Sequence, residues 1–426
     1  MSEYIEHDHQ HDGVDRRGFL KCMAWAGTGV VWVMSGGVPK AFAMTSLDTL
    51  NEAQKNEVLF AQISDSHIGF SKAANQDVAA TLQLAVDRLN AMPKAPALVL
   101  HTGDITQLSK AEEFDTADQI IKGIKTDKVF FVPGEHDVLS DNGAQYLRRY
   151  GRGNAKAWYS FDHSGVHFVG LVNVMDLKAG GLGALGTEQL EWLKGDLRGL
   201  SASTPVVVFA HIPLWTIYPE WGWGTDDAAL ALALLKRFGS VTVLNGHIHQ
   251  TMQKVEGNVQ FHTAFSTAFP QPSPGSAPSP GPMTVDSARL RHVLGTATIQ
   301  FVPGKHALAI VDSTLVGETV MAGAMAMEHA SVKPRKLDNS KVPPGTVLMD
   351  NFQFSPKVLS VKQGTAVTWV NHDDLPHLVI SATGKFPSSR IVDTDQKYTA
   401  MFSTPGEYPY FCSLHPKMTG KIVVKA

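Results

Sequence analysis

The chain has 426 residues, of which 43% are hydrophobic and 18% charged, and its formal net charge is −3 at pH 7. This length is too great for one ordinary hydrophobic core, so two or three globular domains are expected. The small net charge gives no reason to expect a nucleic-acid partner, and two cysteines cannot form a disulfide framework.

The first 43 residues have the pattern of an export signal. Arg16 and Arg17 precede an apolar run at 22–34, and an A-x-A cleavage site ends at Ala43. These are the parts of a signal peptide, and the run is too short for a permanent membrane span. The arginine pair followed by Gly-Phe-Leu-Lys resembles the bacterial twin-arginine signal, which implies a periplasmic location. An ordinary secretory signal or an uncleaved anchor is the alternative.

The next part of the chain predicts a layered α/β domain, because apolar β-branched runs alternate with segments of helical period. The predicted strands are 58–63, 97–101, 128–132, 166–172, 205–210 and 241–244, and the predicted helices are 74–92, 111–124 and 187–197. A Pro-rich stretch at 270–282 cannot form regular structure. Strand-like runs return after it, so we interpret it as an insertion in a first domain of residues 44–317, which a linker at 318–343 follows.

Residues 344–426 have a different texture. Short strands of alternating polarity are separated by Gly, Pro, Asn and Asp turns, and no helical period remains. About eighty residues of this kind predict a small β-sandwich.

Oxygen and imidazole donors follow five predicted strands of the first domain. Ligands of open α/β sheets gather outside the carboxyl ends of the strands, and alternate residues of an extended segment share a face. Imidazole mixed with carboxylate suits Zn, Fe or Mn rather than Ca or Mg. The donors are Asp65, His67, Asp104, Glu135, His136, Asp137, His211, His247 and His249.

The ordered series D-x-H, GD, G-x-H-D, H-x-P and G-H-x-H resembles that of the calcineurin-like metallophosphoesterases, over residues 58–317. The resemblance implies a four-layer αββα sandwich that holds two divalent or trivalent ions of Fe, Mn or Zn. It implies two ligand groups and a bridge between them: Asp65, His67 and His249; His211 and His247; and Asp104 as the bridge.

The same resemblance implies hydrolysis of a small phosphoester by a metal-bound hydroxide. His136 would protonate the leaving group or stabilise the phosphoryl oxygens, and Asp137 would orient the ring of His136.

Glu135 departs from the family pattern, in which Asn usually stands at this position. A carboxylate about 4 Å from a phosphate oxyanion is repelled by roughly 4 kcal/mol at an effective dielectric constant of 20. The change is expected to weaken the ions as Lewis acids and to favour a more highly charged metal such as Fe(III). Glu135 is either an alternative ligand in an active subfamily or a sign of lost activity.

Cys412, His415 and Met418 form a C-x-x-H-x-x-M motif near the C-terminus. Two His and one Cys with a weak axial Met make a blue-copper electron-transfer site. The second imidazole must come from elsewhere: His377 is the stronger candidate and His372 the weaker one.

The segments GTAVTWVNHDDLPHLV and GEYPYFCSLHPKMTGKIVV resemble the small cupredoxins of the amicyanin and plastocyanin type, over residues 344–426. The resemblance implies a Greek-key β-sandwich with one copper ion, whose ligands are His377, Cys412, His415 and Met418.

Three functions remain open on these observations. The first is hydrolysis of a phosphomonoester or phosphodiester in the periplasm, with the copper domain modulating it or docking a periplasmic redox partner. The second is electron transfer by a protein whose dinuclear site is redox-active or non-hydrolytic. The third is copper binding or sensing.

Overall fold

The computed structural model describes residues 30–35, 38–43, 58–153, 155–301, 308–320 and 342–426. Residues 58–300 and 310–426 form one compact unit, and the described residues 30–35, 38–43, 301, 308 and 309 belong to a second, smaller unit. Within the smaller unit, β1 (Val30–Ser35) and β2 (Val38–Ala43) pair as an antiparallel hairpin. The rest of the predicted export signal and nearly all of the predicted linker lie outside the described residues. None of the described helices combines the length and hydrophobicity needed to cross a bilayer.

The first part of the large unit contains two six-stranded sheets and five helices within the described residues. The first sheet has the order β14-β13-β12-β3-β4-β5 and the second β10-β11-β9-β8-β7-β6. Its strands are β3 (Val58–Ile63), β4 (Val99–His101), β5 (Val129–Phe131), β6 (Tyr159–His163), β7 (Val166–Gly170), β8 (Val206–Phe209), β9 (Val241–Asn245), β10 (Gln253–Glu256), β11 (Val259–Thr263), β12 (Gly295–Phe301), β13 (Ala309–Thr314) and β14 (Thr319–Val320). Its helices are α1 (Val78–Asn90), α2 (Ala111–Ile121), α3 (Ala144–Tyr150), α4 (Thr187–Leu197) and α5 (Ala228–Leu235).

The two sheets pack against each other, with helices outside. Phe60 of β3 meets Phe168 of β7 edge to face, with ring centroids 5.2 Å apart. Buried apolar residues of α1 and α2 cluster with those of β3 and β4, while those of α4 and α5 cluster with β7, β8 and β9. These layers confirm the predicted αββα sandwich.

The six predicted strands coincide with β3, β4, β5, β7, β8 and β9 to within two residues at each end. Helix α1 begins four residues later than its apolar period suggests. The side chain of Asp77 accepts a hydrogen bond from the backbone N–H of Ala80 and caps the helix there. After the Pro-rich stretch, β12 joins the first sheet beside β3.

The C-terminal part is a sandwich of two four-stranded sheets, with orders β16-β15-β18-β20 and β17-β22-β21-β19. Trp369, Tyr410 and Phe402 lie in its core and are almost completely buried. This confirms the predicted all-β domain. Its strands are β15 (Thr346–Asp350), β16 (Gln353–Ser355), β17 (Val358–Lys362), β18 (Thr365–Asn371), β19 (Ile380–Ser381), β20 (Lys397–Phe402), β21 (Gly406–Phe411) and β22 (Thr419–Lys425).

Candidate metal centres

The donors of the α/β part all stand just beyond strand ends. Because β3, β4 and β5 run parallel, as do β7, β8 and β9, the carboxyl ends of neighbouring strands bring their following loops together. Five of these donors adopt the left-handed backbone conformation, which non-glycine residues rarely occupy except where the surroundings enforce it. Their φ angles are 52° at Asp65, 42° at His67, 52° at Asp104, 71° at His247 and 53° at His249.

Asp65, His67 and His249 form the first ligand group. The Nε2 atoms of the two histidines are 3.2 Å apart, and Nε2 of His249 is 3.4 Å from Oδ1 of Asp65. Nδ1 of His249 donates to the carbonyl oxygen of Phe269, and Nδ1 of His67 contacts Oε1 of Gln107. With Nδ1 protonated, each neutral ring directs an Nε2 lone pair inward. Two facing lone pairs and a carboxylate fit a cation between them.

Glu135, His211 and His247 form the second group. Oε2 of Glu135 is 3.0 Å from Nε2 of His211, and Oε1 is 2.9 Å from Nδ1 of His247. Nδ1 of His211 donates to the carbonyl oxygen of Thr102, so Nε2 is the free ligand atom. Both Oε2 of Glu135 and Nε2 of His211 are buried without a geometrically satisfactory hydrogen-bond partner. Such orphaned atoms fit a bound ion.

Asp104 lies between the two groups. Its Oδ2 is 3.5 Å from Nε2 of His67 and 3.4 Å from Nε2 of His211. Oδ1 of the same carboxylate accepts a hydrogen bond from the backbone N–H of His136, which fixes its orientation. Asp65 also reaches toward the second group, with Oδ1 4.0 Å from Nε2 of His211. This arrangement fits a pair of ions that share carboxylate ligands.

The electrostatics of the site favour positive charge at its centre. Burial raises the pKa of Glu135, but the neighbouring His247 and His211 outweigh it and hold that pKa well below its usual value. Burial lowers the pKa of His211, yet Asp104 and Glu135 raise it well above its usual value. Burial lowers the pKa of His67 to about 3, so that ring is neutral and able to act as a ligand. Metal ions would supply the positive charge that these buried carboxylates require.

His136 stands beside the first group, and its ring meets that of His67 edge to face at 4.8 Å. Its Nδ1 donates to the carbonyl oxygen of Gln107, which leaves Nε2 free. The expected role of Asp137 is therefore wrong, because Asp137 does not orient this ring. Its carboxylate instead accepts hydrogen bonds from the loops after β4 and β5: from the backbone N–H groups of Ile105, Thr106 and Gly134, and from the hydroxyl of Thr106.

The β-sandwich brings His377, Cys412 and His415 together. Sγ of Cys412 is 3.6 Å from Nδ1 of His377 and 3.6 Å from Nδ1 of His415, and the two Nδ1 atoms are 3.2 Å apart. Met418 is buried in the same core and closes the loop, since its carbonyl oxygen accepts from the N–H of Cys412. His372 is not among the clustered donors of the described residues. One thiolate and two imidazoles form the trigonal donor set that suits copper.

Asp373 is a candidate supporting residue of this site that no sequence motif indicates. Its Oδ2 is 2.7 Å from Nε2 of His377, so the carboxylate holds the ring with Nδ1 toward Cys412. Burial lowers the pKa of His377, but Asp373 and Cys412 raise it to about 9. Burial raises the pKa of Cys412, and the hydrogen bond with His377 outweighs this and lowers it. The site therefore stabilises a thiolate beside a positive charge, which copper would provide.

Asp373→Asn is expected to lower copper affinity by about 10- to 100-fold, because carboxylates behind ligating histidines set ring orientation and basicity. Competition with a chromophoric chelator measures the copper affinity of each variant. Asp395→Asn is the matched control, because Asp395 is exposed in the same domain and loses the same charge. Equal affinities of the two variants would show that Asp373 does not support the ligand.

Comparison with known proteins agrees with this architecture. A family model of the calcineurin-like phosphoesterases matches residues 58–251, and one of the cupredoxin-like domains matches residues 319–424. Amicyanin-alpha of Methylorubrum extorquens is 36% identical over 83 residues, which are 18% of this chain and 70% of that protein. The glycerophosphodiester phosphodiesterase GpdQ of Enterobacter lignolyticus is 27% identical over 212 residues, which are 45% of this chain and 71% of that protein.

Solved structures are similar to each part separately. A dimetal phosphatase from Danio rerio is 16% identical, with 61% of this chain and 99% of that chain covered and a TM-score of 0.44. The Cu(I) form of an amicyanin mutant is 32% identical, with 20% of this chain and 88% of that chain covered and a TM-score of 0.19. The chain thus belongs to the cupredoxins through its C-terminal domain, and it carries a calcineurin-like metallophosphoesterase domain before it.

Proposed function

We propose that this protein is an exported bacterial phosphoester hydrolase with a dinuclear metal site, joined to a blue-copper domain. The observation that carries the proposal is the pair of buried ligand groups that meet at Asp104. The Nε2 atoms of His67 and His249 face each other 3.2 Å apart, a placement that suits two imidazole ligands of one cation. The match to the phosphoesterase family supports the same conclusion.

The residues of the chain would divide the work of hydrolysis. Two ions bound at this site would polarise a phosphoryl oxygen and lower the pKa of a bound water. Asp104 would supply a carboxylate to the ions, and its own orientation depends on the N–H of His136. The free Nε2 of His136 would donate a proton to the leaving-group oxygen or bind a phosphoryl oxygen. Asp137 would keep the loop that bears His136 in place.

The substrate would be a small phosphomonoester or phosphodiester, and the protein would act in the periplasm after export by the twin-arginine route. The pattern at the N-terminus supports the location. A copper-bound cupredoxin domain would exchange electrons with a redox partner or modulate the phosphoesterase site.

A redox role for the dinuclear site is the second candidate, and Glu135 favours it. This residue adds a third buried carboxylate to Asp65 and Asp104. Three negative charges around two ions favour one trivalent ion, and an Fe(III)/Fe(II) couple could then accept one electron. Elemental analysis separates the candidates, because two zinc ions per chain would exclude a redox-active dinuclear site.

Nitrophenyl phosphate and bis(nitrophenyl) phosphate test the hydrolase directly. The metal-loaded protein is expected to release nitrophenol, to stop after chelation, and to recover when Fe, Mn or Zn is restored. His211→Ala is expected to lose activity by about 10³-fold or more, because metal-ion catalysis supplies several kcal/mol. The matched control is His292→Ala, since the half-exposed side chain of His292 pairs with Glu318 and belongs to neither ligand group. Absence of turnover with every metal would contradict the proposal.

A further inference from the structure

The loop between Cys412 and Met418 contacts the phosphoesterase domain. The carbonyl oxygen of Pro416 accepts a hydrogen bond from the N–H of Gly180. The Nζ of Lys417 donates to the carbonyl oxygen of Gly180 at 2.6 Å. The two residues that follow His415 therefore both contact the loop between β7 and α4. The copper-ligand loop is thus attached to the domain that holds the dinuclear site.

Apolar side chains join the same two domains. Leu375, two residues before His377, belongs to the hydrophobic cluster of the phosphoesterase domain, and Phe352 packs against that cluster. Leu139 packs in the opposite direction, against the core of the β-sandwich. Leu139 lies four residues after Glu135, so the segment that supplies a dinuclear ligand is also the segment that touches the copper domain.

His415 is the copper-site residue at this boundary. Its ring is half-buried and meets Phe352 edge to face, with centroids 4.5 Å apart. Phe352 in turn packs against the hydrophobic cluster of the phosphoesterase domain, so the ring of His415 lies at the boundary between the two domains.

We propose that the two metal centres form one charge-coupled unit, in which His415 is the positioning residue that brings the charge of copper to the boundary with the segment that carries Glu135 and His136. This inference rests on metal occupancy of both sites and goes beyond hydrolysis. It assigns the face of the β-sandwich around His415 to the chain's own phosphoesterase domain. An external redox partner would then have to approach the copper from another side.

The sign of the coupling follows from charge. Cations bound near His415 disfavour Cu(II) relative to Cu(I), because Cu(II) carries one more positive charge. Loading the dinuclear site should therefore raise the copper reduction potential. Since coupling between sites is reciprocal, oxidation of copper should weaken cation binding at the dinuclear site by the same factor. It should also strengthen binding of an anion such as inorganic phosphate at that site.

The first experiment measures the copper potential of the full chain with the dinuclear site empty and then loaded with zinc. The expected rise is about 59 mV, a tenfold shift in the Cu(I) to Cu(II) ratio for a one-electron couple. Leu139→Asp should abolish this rise by separating the domains. Met401→Asp should retain it, because Met401 on β20 is 60% exposed and is not a member of either hydrophobic cluster at the boundary, among the residues that the structure describes. An unchanged potential in the native protein, or a full rise in Leu139→Asp, would overturn the proposal.

A second measurement keeps the test decisive if Leu139→Asp fails to fold. Two samples of the native protein are compared, both with Cu(II) in the β-sandwich. One has Mn(II) in the dinuclear site and the other has Zn(II) there. Paramagnetic Mn(II) close to copper is expected to speed the electron-spin relaxation of Cu(II), whereas diamagnetic Zn(II) is not. Equal relaxation would show that the centres are apart. Neither readout needs turnover. A protein that shows the shifted copper potential but no phosphoester hydrolysis would refute only the hydrolase proposal. A protein that hydrolyses phosphoesters without the shift would refute only the coupling between the metal centres.

Discussion

Replacement of Cys412 by alanine is expected to abolish the intense visible absorption of the copper domain and to lower copper affinity by at least about 100-fold. The side chain is completely buried, and its Sγ is 3.6 Å from both ligating ring nitrogens. The thiolate is the anionic member of the donor set and the source of the blue-copper character. Loss of the thiolate should lower copper affinity by more than the 10- to 100-fold expected for Asp373→Asn, which alters only a residue behind a ligand.

The change also alters the protonation of the site without metal. The Cys412 thiolate is one reason why the pKa of His377 is raised to about 9, burial having the opposite effect. Without the thiolate, only Asp373 remains to stabilise an imidazolium at this position. Absorption spectra and chelator competition measure the metal loss, and NMR titration measures the fall in the pKa of His377. Ser413→Ala, in the same loop, is the control, and a Cys412→Ala protein that kept its visible band would remove Cys412 from the copper site.

The candidate donors of the dinuclear site and of the copper site could both be predicted, because each set follows a local sequence pattern. Donors that follow parallel strands converge because the carboxyl ends of those strands lie at the same edge of a sheet. The positions of Asp104 and His211 could therefore be predicted without knowledge of tertiary contacts. The spacing of Cys412, His415 and Met418 likewise places three donors on one short loop. The layers of the fold were predictable for the same reason, since strand and helix periods alternate along the chain.

The supporting contacts could not be predicted in this way. Asp373 lies four residues before His377, where an acidic residue in a turn has no particular meaning until the ring position is known. The acceptors behind the dinuclear ligands include backbone carbonyl groups, such as that of Phe269, which every residue possesses. The family resemblance implies that Asp137 orients the ring of His136, but the carboxylate of Asp137 turns toward the loop after β4. Adjacent residues of a short helical turn point in different directions.

The contact between the domains was also beyond sequence reasoning. Leu139 and Leu375 are ordinary apolar residues, and neither belongs to a motif. Their packing against the opposite domain depends on the relative placement of segments separated by more than 100 residues in the chain. Only the folded arrangement shows that the segment carrying Glu135 packs against the β-sandwich and that the loop carrying His415 contacts the phosphoesterase domain.

Glu135→Asn is expected to increase phosphoester turnover, because it removes a negative charge that faces the phosphate. The carboxylate now contacts His211 at 3.0 Å and His247 at 2.9 Å, in the position of a metal ligand. At an effective dielectric constant of 20, the repulsion of a phosphate oxyanion about 4 Å away is roughly 4 kcal/mol, which corresponds to about 10³-fold in rate. Bound cations cancel part of this, so a rise in kcat/KM of about 10- to 100-fold is expected, together with tighter inhibition by inorganic phosphate.

A second variant separates the effect of the length of the side chain from the effect of its charge. Glu135→Gln keeps the length of the side chain and removes its charge, so it should share the tighter phosphate inhibition if charge is the cause. Both variants should bind a trivalent ion less tightly, because a neutral carbonyl replaces a carboxylate. Glu191→Gln, an exposed change on α4, is the control for a general charge effect. If both Glu135 variants instead lose metal and activity together, Glu135 is an obligatory ligand, and its negative charge belongs to the active form of the site.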